Sequence, residues 1–128
     1  MAFERITPVL ITEPEPGQIF VFGSNAKGFH AGGAARTALE RFGAEWGKGE
    51  GLQGQSYAIP TMEGLESTRE AVDRFTAFAT IHPELTFLVT AVGCGIAGYS
   101  PKEIAPMFVV ASKLPNVFLP QSFWELIS

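Results

Sequence analysis

Two short runs of bulky apolar residues, Phe20-Val21-Phe22 and Phe87-Leu88-Val89, each lead within a few positions into a glycine-rich stretch. Continuous apolar strands, unlike alternating ones, need cover on both faces, which points to a sheet sandwiched between helices. Five segments carry the β-branched and aromatic content of strands and are bounded by Pro, Gly or Asn: PVLIT (8–12), QIFVFG (18–23), QSYAIP (55–60), TFLVTAVG (86–93) and NVFLP (116–120). The prolines and glycine of EPEPG force a loop between the first two.

Helical spacing fills the gaps. From Ala34, the residues Ala35, Ala38, Leu39 and Phe42 recur on one face, and Gly43 supplies a stop. Ser67 with Glu70 predicts a capping box opening a helix with Val72, Phe75 and Phe78 or Ala79 on its apolar side, ended before Pro83. Ser100, Pro101 and Glu103 combine an N-cap, a first-turn proline and the reciprocal acid, predicting a helix that buries Ile104, Met107, Phe108 and Ala111. A last helical turn is expected from Ser122, with Phe123 and Trp124 in the core or facing a partner. Strand and helix alternate, so the expected architecture is a single α/β domain over residues 1–128 with a mixed or largely parallel sheet. GAEWGKGEGLQGQ (43–55), with five glycines, reads as a mobile surface loop in which Trp46 is a lid or an anchor.

Charge narrows the ligand. The chain has 128 residues, 46% of them hydrophobic, enough for one core. Its net charge of −4 and the lack of a basic cluster argue against duplex nucleic acid but leave a single nucleotide open. No basic start precedes an apolar run and no segment is long and apolar enough to span a bilayer, so a cytoplasmic protein without a membrane partner is expected. Cys94 is the sole cysteine and only His30 and His82 accompany it, so neither a disulfide, a metal nor a cofactor is expected.

Gly23, Gly28, Gly32 and Gly33 follow the second strand, and Gly93, Gly95 and Gly98 follow the fourth. In open α/β sheets this edge receives ligands, because free N–H groups point there and glycine lets a ligand approach the backbone. The chemistry suggested is recognition of a phosphate or diphosphate by backbone amides, which an acidic protein can perform. Tight turns with positive φ are the competing explanation. Neither loop matches the Walker or the dinucleotide-binding fingerprint.

The stretches FGSNAKGFHAGGAARTAL and VTAVGCGIAGYSPKEIA resemble the two ligand loops of the macrodomain family, the ADP-ribose-binding module. SYAIPT (56–61) sits where that family has its intervening strand, and the whole chain is similar to a small phage-associated macrodomain-like branch. The resemblance spans about residues 19–119. It implies a three-layer α/β/α fold with a mixed, largely parallel sheet. It also implies a cleft in which Gly23, Ser24, Asn25, Gly32, Gly33, Ala34, Gly93, Cys94, Gly95, Ile96, Ala97, Gly98 and Tyr99 bind an ADP-ribose-like small molecule. Two departures are visible: no acidic residue is placed to read an adenine amino group, and Ala97 stands where an aromatic is common, leaving ribose stacking to Tyr99 or Phe29.

By the same resemblance Asn25 orients the distal sugar, a turn-forming Asn being the alternative. His30, whose ordinary pKa lies near neutrality, is a candidate general acid or base beside it, a solvated or helix-capping residue being the alternative. Cys94 invites a nucleophile reading but has no base partner in the sequence; a small packed residue is the alternative. Three functions stay open at this level: hydrolysis of an ADP-ribosyl linkage, binding or sequestration of a nucleotide without catalysis, and a phage or host protein-interaction module using a patch around Phe123 and Trp124.

Overall fold

The computed structural model describes residues 5–9 and 11–127. Its strands are β1 (Gln18–Ser24), β2 (Gly51–Gln53), β3 (Ser56–Pro60), β4 (Thr86–Val89) and β5 (Val117–Phe118), and its α-helices α1 (Gly33–Arg41), α2 (Leu65–Thr80), α3 (Pro101–Ile104) and α4 (Gln121–Ile127). They form a mixed α/β domain around one sheet in the order β2-β3-β1-β4-β5. Only β2 runs antiparallel to its neighbour, while β3, β1, β4 and β5 pair in parallel.

The unbroken apolar runs are explained by two cores, one on each face of the sheet. Successive strand residues point to opposite sides. Ile19 and Val21 enter the larger core with Tyr57, Ile59, Phe87 and Val89, beneath Val72 and Phe75 of α2 and Phe123 and Trp124 of α4. Phe20, Phe22 and Ala58 enter the smaller core against Ala35, Ala38 and Phe42 from α1 and its end. Phe123 is fully buried and Trp124 nearly so, which removes the expected partner-facing patch at these residues.

Several expected boundaries shift, each for a local reason. Residues 8–12 are not a strand among the described residues, and Leu10 lies outside them. Pairing occurs earlier instead: Ile6 bridges Leu119 in parallel, and Thr7 donates its N–H to the Leu119 carbonyl at 2.9 Å. The ladder ends there because the partner chain leaves the sheet at Pro120 and enters α4 at Gln121. The fourth strand stops at Val89: the Thr90 N–H makes its last ladder bond, to the Val21 carbonyl at 3.0 Å, where the Thr90 hydroxyl also donates at 2.7 Å, and the chain then turns, with the Val92 N–H on the Thr90 carbonyl at 2.7 Å. Helix α2 starts at Leu65 after Gly64, so Ser67 lies inside it and caps nothing; the Thr68 hydroxyl reaches back to the Gly64 carbonyl at 2.8 Å.

The helix from Pro101 does bury Ile104, Met107, Phe108 and Ala111, but it is α-helical for one turn only. Pro106 cannot donate to the carbonyl four residues before it, and the backbone tightens into 3₁₀ turns at Ala105–Phe108 and Ala111–Lys113. The 43–55 segment contains β2, and Glu50 there holds Arg74 of α2 in a two-point ion pair at 2.6 and 2.9 Å. No helix among the described residues is long and apolar enough to cross a membrane.

Candidate functional site

Because β3, β1 and β4 are parallel neighbours, their C-terminal ends open on the same edge of the sheet. The segments leaving them, from Gly23, Thr61 and Thr90, enclose a cleft of about 360 Å³. Among the described residues no side chain lining it carries a charge.

The polar side chains in the cleft are committed to the backbone. The Ser24 hydroxyl donates to the Gly49 carbonyl, and the Thr61 hydroxyl to the Ser24 carbonyl at 3.3 Å. Thr90 is bonded to Val21 as described above. Asn25 accepts from the Phe29 N–H at 2.9 Å and donates to the Phe29 carbonyl at 3.0 Å, which closes the 25–29 loop through its own side chain. One amide hydrogen and one lone pair of Asn25 remain for a ligand.

Backbone donors are left over. Helix α1 has no side-chain cap at Gly32, and the N–H groups of Gly32, Gly33, Ala34 and Ala35 find no acceptor among the described residues. Across the cleft the N–H groups of Gly95, Ile96 and Ala97 are likewise without acceptors. Gly32 and Ile96 approach each other closely enough that a Cβ at Gly32 would stand 3.5 Å from the Ile96 side chain. The arrangement therefore suits an anion held by neutral amides on two sides.

The second loop differs from expectation in one respect. The start of α3 is largely self-satisfied: the Glu103 carboxylate accepts from the Ser100 N–H at 2.9 Å and from its hydroxyl at 3.3 Å, the Glu103 N–H donates to the Ser100 carbonyl at 3.0 Å, and Pro101 has no N–H.

Of the residues read as binding from the sequence, Gly23, Ser24, Asn25, Gly32, Ala34, Gly93, Gly95, Ile96 and Ala97 come together around the cleft. Gly33, the first residue of α1, and Gly98 are exposed, with φ near +60° and +81°, and do not line it. Tyr99 is half-buried against the larger core, its N–H on the Gly93 carbonyl at 2.9 Å, so Phe29 is the aromatic that reaches the cleft.

His30 is fully buried and outside the lining. Its ring meets Phe22 edge-on at 5.2 Å, and its Nε2 faces the Lys48 carbonyl at 3.1 Å, which requires Nε2 to carry the hydrogen. Nε2 is thus engaged by the backbone, while Nδ1 is buried with no hydrogen-bond partner among the described residues. Cys94 is half-buried against the larger core, and burial, with the Glu103 carboxylate adding to it, pushes its thiol above the usual range. The thiolate is therefore scarcer at neutral pH than in a free cysteine. Iodoacetamide should label Cys94 several-fold more slowly than free cysteine at pH 7.5, with the rate still climbing above pH 9; labelling as fast as the free thiol would restore a nucleophile reading.

The sequence reading missed Thr61, Met62 and Thr90 to Val92 as lining residues. The signal was available: the third parallel strand must open on the same edge as the other two, but it carries no glycine cluster to draw attention to Thr61.

A second cleft, of about 320 Å³, adjoins the first through the shared residues Thr90 and Ala91 and lies beyond β4 and β5, between residues 6–9 and 120–122. The Thr7 hydroxyl in its lining is buried with no hydrogen-bond partner. Among the described residues no group of three or more His, Cys, Asp or Glu side chains is placed to hold a metal ion.

Comparison of the chain with protein-family models, with curated proteins and with solved structures finds no significant match.

Proposed function

We propose that this chain is a macrodomain-like binding module for ADP-ribose or a related nucleotide diphosphate. The observation that carries the reading is that Gly32, Ala34 and Ala35 on one side and Gly95, Ile96 and Ala97 on the other, whose N–H groups have no acceptor among the described residues, line one cleft with no charged side chain among them. A diphosphate is the common biological anion that such a two-sided cradle of amides fits without help from Lys or Arg. The mixed, largely parallel sheet with helices on both faces and both glycine loops at one edge agrees with the family fold.

The two adjoining clefts accommodate the rest of the ligand. With the diphosphate between the loops, one sugar lies beside Gly23 and Asn25, and the base lies past Thr90 in the second cleft. Binding without hydrolysis is the reading favoured, because no titratable side chain lines the first cleft and His30 is packed away from it.

Thermal denaturation with ADP-ribose, ADP, adenosine and ribose tests the proposal. A ligand at a hundred times its dissociation constant stabilises by ~2.7 kcal/mol, which raises the midpoint of a domain this size by about 10 °C. The expected result is a shift of that order with ADP-ribose, a smaller one with ADP and none with adenosine or ribose. Equal midpoints throughout would overturn the reading.

A further inference from the structure

The cleft rim carries a larger aromatic surface than a terminal ribose stacked on Phe29 would cover. Phe29 and Trp46 lie on different loops, yet their rings stack with centroids 5.4 Å apart and planes within 12°. Both are largely exposed, Phe29 at 49% and Trp46 at 57%. Phe29 lines the cleft and Trp46 does not, so Trp46 backs Phe29 on the side away from it.

The pair is held in place from beneath. Asn25 fixes the Phe29 backbone through both ends of its amide. The Trp46 loop is fastened to the Phe29 loop by the Gly47 N–H on the Gly28 carbonyl at 2.9 Å, by buried His30 on the Lys48 carbonyl, and by the Ser24 hydroxyl on the Gly49 carbonyl. Two large rings are thus kept rigid and wet at the end of a neutral cleft, which is the arrangement of a stacking platform. Position sets its role. Along the sheet edge the second cleft lies over β4 and β5 and the first over β4, β1 and β3, with Phe29 leaving the end of β1. The Lys27 ammonium, 5.9 Å from the centre of the Phe29 ring, disfavours a cationic ring there.

We propose that Phe29 and Trp46 form a subsite for a second, neutral planar ring at the far end of the ligand, so that the chain prefers a dinucleotide to ADP-ribose. The proposal rests on the diphosphate reading above. Isothermal titration with ADP-ribose and with diadenosine diphosphate tests it. In the unaltered chain the dinucleotide should bind about tenfold more tightly, the gain expected of one stacked base. Trp46→Ala should reduce that preference to about twofold with ADP-ribose affinity unchanged, and Phe29→Leu should abolish it. If ADP-ribose binds and the dinucleotide binds no better, the stacking subsite is overturned and the diphosphate cleft stands. If neither nucleotide binds, both fall together.

Discussion

Gly28→Ala and Gly49→Ala should each lower the thermal midpoint by about 10 °C, whereas Gly47→Ala, in the same loop pair, should lower it by only about 4 °C. A Cβ at Gly28 would press into the backbone of Gly47 and Lys48, coming within 2.7 Å of the Lys48 carbonyl carbon. At Gly49 it would press onto the Asn25 carbonyl and stand 2.6 Å from that of Ala26. The obstacles are main-chain atoms, which cannot rotate aside as a side-chain tip can. Forcing in one carbon against backbone costs ~1–3 kcal/mol, and Gly28 adds ~1–2 kcal/mol of strain because its φ is +72°. Gly47 is the internal control: its φ is +92°, but nothing stands within 4 Å of the added carbon, so only strain is incurred. Melting curves of the three variants decide the matter. If Gly28→Ala and Gly49→Ala melt with Gly47→Ala, the two loops are not packed backbone to backbone.

That prediction contradicts the plain meaning of the composition. Five glycines in thirteen residues suggest a flexible excursion, and glycine does supply freedom where nothing opposes it. The same residue also permits the closest approach of two chains, and here it does so at Gly28 and Gly49. A single sequence does not distinguish these uses, because the partner loop lies about twenty residues away and its position depends on the fold. The buried polar side chains tell the same story: Ser24, His30 and Gln53 look solvent-facing in a glycine-rich context, yet each is buried and bonds to the 48–51 backbone.

Other parts of the structure were legible. The runs at Phe20 and Phe87 pointed to strands covered on both faces, and the two cores supply that cover. Periodicity located the buried faces of α1, of α2 and of the turns after Pro101. It failed where a backbone donor decides, as at Pro106, because an apolar pattern is blind to hydrogen bonding. The glycine loops were correctly placed at the strand ends, but which of their amides remain free depended on the self-capping of Ser100 by Glu103 and on the uncapped start of α1. Asn25 was singled out for a sugar. Its side chain is first a clamp on Phe29, so Asn25→Ala would loosen the rim as well as remove a donor and would not isolate a role in ligand orientation.

A cleaner probe of the cradle changes its charge and leaves its backbone alone. Gly95→Asp should weaken ADP-ribose binding on the order of 100-fold, with Gly95→Asn within about threefold of the unaltered chain. Gly95 lines the cleft, its φ lies outside the left-handed region, and a Cβ there would meet nothing within 4 Å, so the fold should accept either side chain. Asp then places a carboxylate beside the proposed diphosphate, where two like charges ~5 Å apart repel by ~3 kcal/mol at an effective dielectric near 20. Asn has the same shape and no charge, so it reports the steric effect alone. Because no Lys or Arg lines the cleft to neutralise the new carboxylate, the full difference between the two variants should appear in the measured affinity. Calorimetry at two salt concentrations checks the origin of the loss, since screening should narrow the gap between Asp and Asn as ionic strength rises. Equal affinities for the two variants would mean that the phosphates do not sit against the 95–97 amides, and the diphosphate would have to be placed elsewhere along the sheet edge.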